Sequence, residues 1–141
     1  MTAKEYLKQA YRLDHRIDSE IAEMERLREM AVSIGSPGFE EHYDPNHATE
    51  APFVHALEKV WKMEEKINSE IDRLVDLKEQ IRSVIEAVSD PNERMVLRYR
   101  YIHNMTWEQI GDELHADART IRRWHGSALT HTVLPDDPII V

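Results

Sequence analysis

Arg119, Arg122 and Arg123, followed by Gly126, recur at i, i+3, i+4 and i+7 near the C-terminal end of this chain. That spacing puts three guanidinium groups on one side of a helix, while Ile121, Trp124 and Ala128 take the opposite side with Leu129 near them. A guanidinium is planar, permanently charged and carries its donors in a fixed fork. A row of them therefore suits bidentate contacts to base edges and phosphates. Thr120, near the start of the same helix, offers a hydroxyl to a base or a phosphate, and Ala118 stands beside it in the first turn. Thr106 opens the preceding helix, where its hydroxyl and the first amides can bind phosphate. The bland reading of the same arginines is a solvated helix face.

Other chemistry finds less support. There is no cysteine, which removes disulfides and thiolate metal sites. His42, His47 and His55 with Asp44 nearby match no zinc spacing, so no metal and no cofactor is expected. Carboxylate pairs such as Glu64-Glu65 read as a solvated helix face rather than acid–base machinery. No nucleophile constellation or glycine-rich phosphate loop is present, and the chain reads as non-enzymatic. His125 is expected to be exposed or to make a backbone contact, and Trp107 and Trp124 to pack in a core.

The net charge of −9 argues against a nucleic-acid partner until it is divided along the chain. Residues 1–89 hold 12 Lys/Arg against 19 Asp/Glu, whereas residues 90–129 hold six arginines against six acids and are neutral. The acidity belongs to the N-terminal part, and a neutral C-terminal region predicts weak nonspecific binding with a shallow salt dependence.

The elements that must position these residues are all helical. Thr2-x-x-Glu5 is a capping box that starts a helix over about 3–34, with apolar residues at Ala10, Leu13, Ile17, Ile21, Met24, Leu27, Ala31 and Ile34. Residues 35–52, rich in Gly, Pro, His and acids, read as a loop. A second helix is expected over about 53–88, its seam running Phe53, Leu57, Val60, Ile67, Ile71, Leu74, Ile81, Ile85 and Val88. At ~1.5 Å per residue these are rods of roughly 45 and 53 Å, too long to bury their stripes alone. An antiparallel helical hairpin, a coiled coil that self-associates (a dimer favoured), is the natural arrangement. Arg16-Ile17-Asp18-Ser19-Glu20-Ile21 is echoed by Lys66-Ile67-Asn68-Ser69-Glu70-Ile71 at an offset of 50, which coiled-coil convergence accounts for better than duplication.

Asp90-Pro91-Asn92-Glu93 combines an N-cap aspartate, a proline at the first helical position and a glutamate at the third, so a new unit starts at residue 90. Its first helix runs to about Ile102, with Val96, Leu97 and Tyr101 packing inward, and Asn104 breaks it. Thr106-x-x-Gln109 caps the next helix, whose buried face is Trp107, Ile110, Gly111 and Leu114. His115-Ala116-Asp117 is a three-residue turn, with Asp117 the N-cap of the last helix. The fold class is all-α: a long antiparallel hairpin over 1–89, a small helix-turn-helix domain over 90–129 and a tail over 130–141. The tail ends in an apolar trio, and its order is left open by the sequence.

The strings VLRYRY, TWEQIGDEL and TIRRWHGSAL resemble region 4 of sigma-70-type transcription factors. The whole chain, including MTAKEYLKQAYRLDHRID and IDRLVDL, resembles small phage-encoded sigma-like proteins of Gram-positive phages and integrated elements, akin to late-gene regulators of the ArpU and RinA kind. The resemblance implies a transcription regulator that binds promoter DNA through the Ala118–Leu129 helix, with RNA polymerase a further partner. It implies a sigma-like DNA-binding module rather than a complete sigma factor. His115, where such turns often carry glycine, and Gly126, where alanine or a larger residue is usual, depart from the pattern. The alternatives are a DNA-packaging protein like a small terminase subunit, and an interaction module for RNA polymerase. No apolar run spans a bilayer, and the charged, amphipathic start MTAKEYLKQAYR points to the cytoplasm.

Overall fold

The computed structural model describes residues 1–34 and 50–141, and among these every regular element is helical. The order is α1 (Ala3–Ile34), α2 (Glu50–Glu86), α3 (Pro91–Leu97) running on into a wider π-type turn over Arg98–Ile102, α4 (Trp107–Leu114) and α5 (Ala118–His131). The helix expected to begin at Phe53 begins three residues earlier, at Glu50. Pro52 therefore lies in its first turn, where a missing N–H breaks no helical bond. Residues 35–49 of the expected loop, and with them His42, Asp44 and His47, lie outside the described residues; His55 is exposed on α2.

The described residues fall into two compact units, residues 15–72 and residues 1–14 with 73–141. In the first of these, α1 and α2 run antiparallel. Arg16 Nε pairs with Glu70 Oε2 at 3.8 Å, Lys66 Nζ with Glu20 Oε1 at 3.3 Å, and Arg28 with Glu64 at 4.0 Å. The two echoed strings therefore face one another. The basic residue that opens each copy reaches the glutamate of the other, so the repeat forms a reciprocal, pseudo-twofold layer.

This layer corrects the expected seam. Ile71 is 37 % exposed, whereas Glu70 is buried at 8 %. The buried series runs Ile67, Glu70, Leu74, Leu77 and Ile81, alternating steps of three and four, and half-buried Glu20 holds the matching place between Ile17 and Met24 on α1. Glu20 Oε2 and Glu70 Oε2 have no conventional donor. The two carboxyls lie within hydrogen-bond reach of one another, the geometry that a shared proton would satisfy. Burial raises the Glu70 pKa, with Glu20 adding to the rise, while hydrogen bonding to Glu70 and then Lys66 holds Glu20 low.

In the other unit, the first turns of α1 and the last turns of α2 join α3, α4, α5 and the C-terminal tail. The expected caps are present. Thr2 and Glu5 bond reciprocally, Asp90 Oδ1 accepts from the amides of Asn92 and Glu93, and Pro91 follows at the first helical position. Glu93 does not turn back on its own helix. Its carboxylate accepts from Ser127 Oγ at 2.7 Å and His131 Nδ1 at 2.8 Å, tying α3 to α5. Val96, Ile110 and Ile121 are fully buried where α3, α4 and α5 meet, and Trp107, Leu114, Ala116 and Trp124 close around them.

The tail is ordered. Gln9 donates to Ile139 O and accepts from Val141 N, both at 2.9 Å, while Gln80 donates to Asp137 O and accepts from Ile139 N. Two glutamine side chains thus pair with alternate peptide groups as a neighbouring strand would. Tyr6 donates to the same Gln80 oxygen at 2.7 Å, and Arg73 donates to Ile140 O.

Candidate nucleic-acid interface

Asp117 sets where α5 starts. Its Oδ1 accepts from Thr120 N at 2.7 Å, and hydrogen bonding to Thr120, with the nearby Arg119 and Arg123 charges, holds its carboxyl below the usual range. Capping of this kind is worth about 1 kcal/mol. From there Ile121 and Ala128 point into the core with no exposed surface, and Trp124 packs against the Val96–Ile110–Ile121 cluster. Three buried contacts on one side fix the rotation of the helix, which leaves Arg119, Arg122, Arg123 and Gly126 exposed on the other. Among the described residues none of these arginines has a carboxylate within ion-pair distance.

Thr120 and Ala118 flank the stripe and are half-buried, the Thr120 amide being consumed by the cap. Thr106 is exposed as the N-cap of α4, its Oγ1 accepting from Gln109 N at 3.2 Å and its amide donating to Gln109 Oε1 at 2.9 Å. The hydroxyl proton remains available for an anion. Of the sequence-derived candidates, the structure therefore brings the three arginines together on one free surface and places Thr106 at a helix start.

The turn between α4 and α5 is tight because of two residues. His115 takes the left-handed conformation (φ 54°, ψ 46°) that glycine usually provides, at a cost of ~1–2 kcal/mol. Gly111 accepts from Ala116 N at 3.0 Å, and a Cβ added there would meet Ala116 O at 2.5 Å. Only glycine leaves room for the turn to fold back over α4.

Behind α5 lies an aromatic chain that sequence reasoning missed. His125 is buried rather than exposed, 2.6 Å from Tyr101 Oη through Nε2 and edge-on to Trp107 at 4.8 Å. Burial pushes the Tyr101 hydroxyl up to about 12 and His125 down to about 4, with Lys4, Arg100 and Lys8 contributing to the latter. Tyr101 thus keeps its proton and His125 stays neutral at pH 7, so the short contact joins two uncharged groups. Arg100 lies 4.1 Å over the Trp107 ring and donates to Met105 O at 2.9 Å, so its guanidinium is fixed from two sides.

That guanidinium borders a cavity of 390 Å³ whose lining also includes Lys8 and Arg12 of α1 together with Asn104 and Thr106. Lys8 and Arg12 stand four residues apart on the exposed face of α1, away from Tyr6, Leu7, Ala10 and Leu13. The Lys4–Lys8–Arg12 spacing was the available signal for this basic row. It was submerged in the acidic total of the N-terminal half.

Among the described residues no cluster of His, Asp and Glu is placed to hold a metal ion, and no helix is long and apolar enough to cross a membrane. No curated protein and no solved structure matches the chain. A family model described as "Protein of unknown function (DUF722)" matches residues 11–131, and the chain belongs to that family.

Proposed function

We propose that α4, the His115–Asp117 turn and α5 form a sigma region-4-like helix-turn-helix that docks α5 in the major groove of double-stranded DNA. The protein is, on this reading, a sequence-specific transcription regulator of phage or mobile-element origin. The observation that carries it is the exposed row of Arg119, Arg122 and Arg123, without an ion pair among the described residues, on a helix locked from behind by Ile121, Trp124 and Ala128. Arg119, Arg122 and Arg123 read or grip the groove from that face, Ala118 and Thr120 border it, and Thr106 meets a flanking phosphate.

The test is selection of bound sequences from random duplexes at low salt. An enriched motif, with R119A or R123A relaxing discrimination at one position by about 1–3 kcal/mol, supports the reading. Absence of any enriched motif removes it.

The antiparallel pairing of α1 with α2 supports a helical hairpin as the device that sets oligomeric state. Met30, Val32, Val54 and Trp61 are exposed on it, Trp61 at 59 %, which favours association with a second copy. Light-scattering mass distinguishes the two assemblies this permits. A dimer fits a regulator reading two half-sites about one helical turn apart, whereas a ring of many subunits fits a packaging protein.

A further inference from the structure

Three cations from two distant stretches of sequence, Lys8, Arg12 and Arg100, line one cavity, and among the described residues none of them has a carboxylate within 4.0 Å. Glu5 borders a separate hollow beside Lys8 and Arg12 and is engaged with Thr2 N. The cavity's own lining thus gathers like charges with no carboxylate among them, which points to an anion. Arg100 is pinned by Met105 O and the Trp107 ring, leaving further N–H groups to donate from a fixed position. Tyr11, Tyr101, Asn104 and Thr106 complete the lining with neutral polar groups, Thr106 at the N-terminus of α4. The positive field reaches the interior, since Lys4, Arg100 and Lys8 all help keep buried His125 neutral.

We propose that this cavity is a phosphate-binding site that grips the sugar-phosphate backbone of a DNA duplex, with Lys8 and Arg12 of α1 and Arg100 as its cationic contacts. The backbone fits better than a free nucleotide. Small-ligand sites enclose most of their ligand, whereas Lys8 and Arg12 are exposed and suit a phosphate that stays part of a polymer in solvent. Thr106 belongs both to this lining and to the candidate interface, which makes the two contiguous. The proposal rests on the reading of α5 as a duplex-binding helix, and it gives the first turns of α1 a role in recognition besides their packing.

Fluorescence anisotropy with the full chain tests it, using one selected duplex, one unrelated duplex and a titration of salt. Neutralising two backbone contacts in K8Q/R12Q reduces the slope of log K against log salt by ~1.8 and weakens both duplexes roughly tenfold or more by the same factor, leaving their ratio intact. The charge-preserving K8R/R12K retains the slope, and thermal melts of both variants check that the fold is kept. R119A behaves oppositely, reducing the ratio between duplexes. Unchanged affinity and slope in K8Q/R12Q overturn the inference while leaving the α5 reading in place. If no duplex binds, the α5 reading and the backbone assignment fall together. Saturable amide shifts at Asn104 and Thr106 with inorganic phosphate alone would then mark the cavity as a free-phosphate site instead.

Discussion

Buried His125 makes the C-terminal unit sensitive to mild acid. The unfolded chain binds a proton on this residue near its ordinary pKa of 6.5, whereas the native chain refuses it until about 4. Its contribution to stability is therefore complete above pH 6.5, declines as the pH falls and is gone below about 4. Between pH 7.5 and 5 the linkage amounts to about 2 kcal/mol, which solvent screening trims to 1–2 kcal/mol. The comparison is with H125Q, which cannot titrate and whose amide can still meet Tyr101. At pH 7.5 the wild type is the more stable protein, because the imidazole fills the space between Tyr101 and Trp107. Urea unfolding followed by helical circular dichroism at fixed ionic strength gives the difference at each pH, with all other titrations cancelling between the two proteins. The expected outcome is a wild-type advantage that shrinks by 1–2 kcal/mol by pH 5. An advantage constant across that range, or a His125 ring proton titrating above pH 6 in the native spectrum, would refute the reasoning.

Other perturbations probe the remaining contacts. G111A places a methyl against Ala116 O and is expected to lower stability by ~1–3 kcal/mol despite the better helix propensity of alanine, as read by thermal melting. At Gly126, where an added Cβ meets nothing within 4 Å, the same substitution should raise stability by up to ~1 kcal/mol. Q80A leaves Ile139 N without its acceptor while Val141 N keeps Gln9, so hydrogen exchange should accelerate at Ile139 and not at Val141. Because burial raises Glu70, the native pair with Glu20 loses stability as the pH rises from the ordinary carboxylate range through the raised value. E70Q should therefore raise the melting temperature at pH 7, with a gain that fades at acid pH; no gain at pH 7 would sink the shared-proton account.

What the sequence disclosed and what it withheld differ by the distance over which the deciding interaction acts. The boxes at Thr2–Glu5 and Thr106–Gln109 and the caps at Asp90 and Asp117 are closed by bonds spanning two or three residues, and they are where the sequence put them. The α5 faces were equally legible, because apolar and cationic residues there follow one helical period. The bonds from Glu93 to α5 were not legible because its partners lie 34 and 38 residues away. His125 stands at i+4 from Ile121 and three residues before Ala128, on the buried side by helical spacing. Its polar type argues for solvent, and nothing local reveals that Tyr101 and Trp107 receive it. The seam at Glu70–Ile71 offers two frames that differ by one residue. Hydrophobicity favours Ile71, but Leu74, Leu77 and Ile81 keep a three-and-four step that selects Glu70, with its opposite number Glu20 supplying the polar partner.

The division of charge looks different once the compact units replace segments of sequence. Residues 15–72 hold 6 Lys/Arg against 14 Asp/Glu, a net −8, while residues 1–14 with 73–141 hold 12 against 13, a net −1. Nearly all the net negative charge therefore sits in the unit built on the Glu20–Glu70 layer. The basic row of α1, counted with the acidic half when the chain is cut at residue 90, belongs with the arginines of α5. Screening confines the influence of exposed charges to about 8 Å at physiological ionic strength, so a duplex at the C-terminal unit responds to local charge rather than to the total of −9. On that unit Arg119, Arg122 and Arg123 on the α5 face, and Lys8, Arg12 and Arg100 around the cavity, have no carboxylate within ion-pair distance among the described residues. An acidic protein can bind a polyanion on these terms because its acids are shared almost evenly between the two units, 14 against 13, whereas two thirds of its cations, 12 of 18, lie in the C-terminal one.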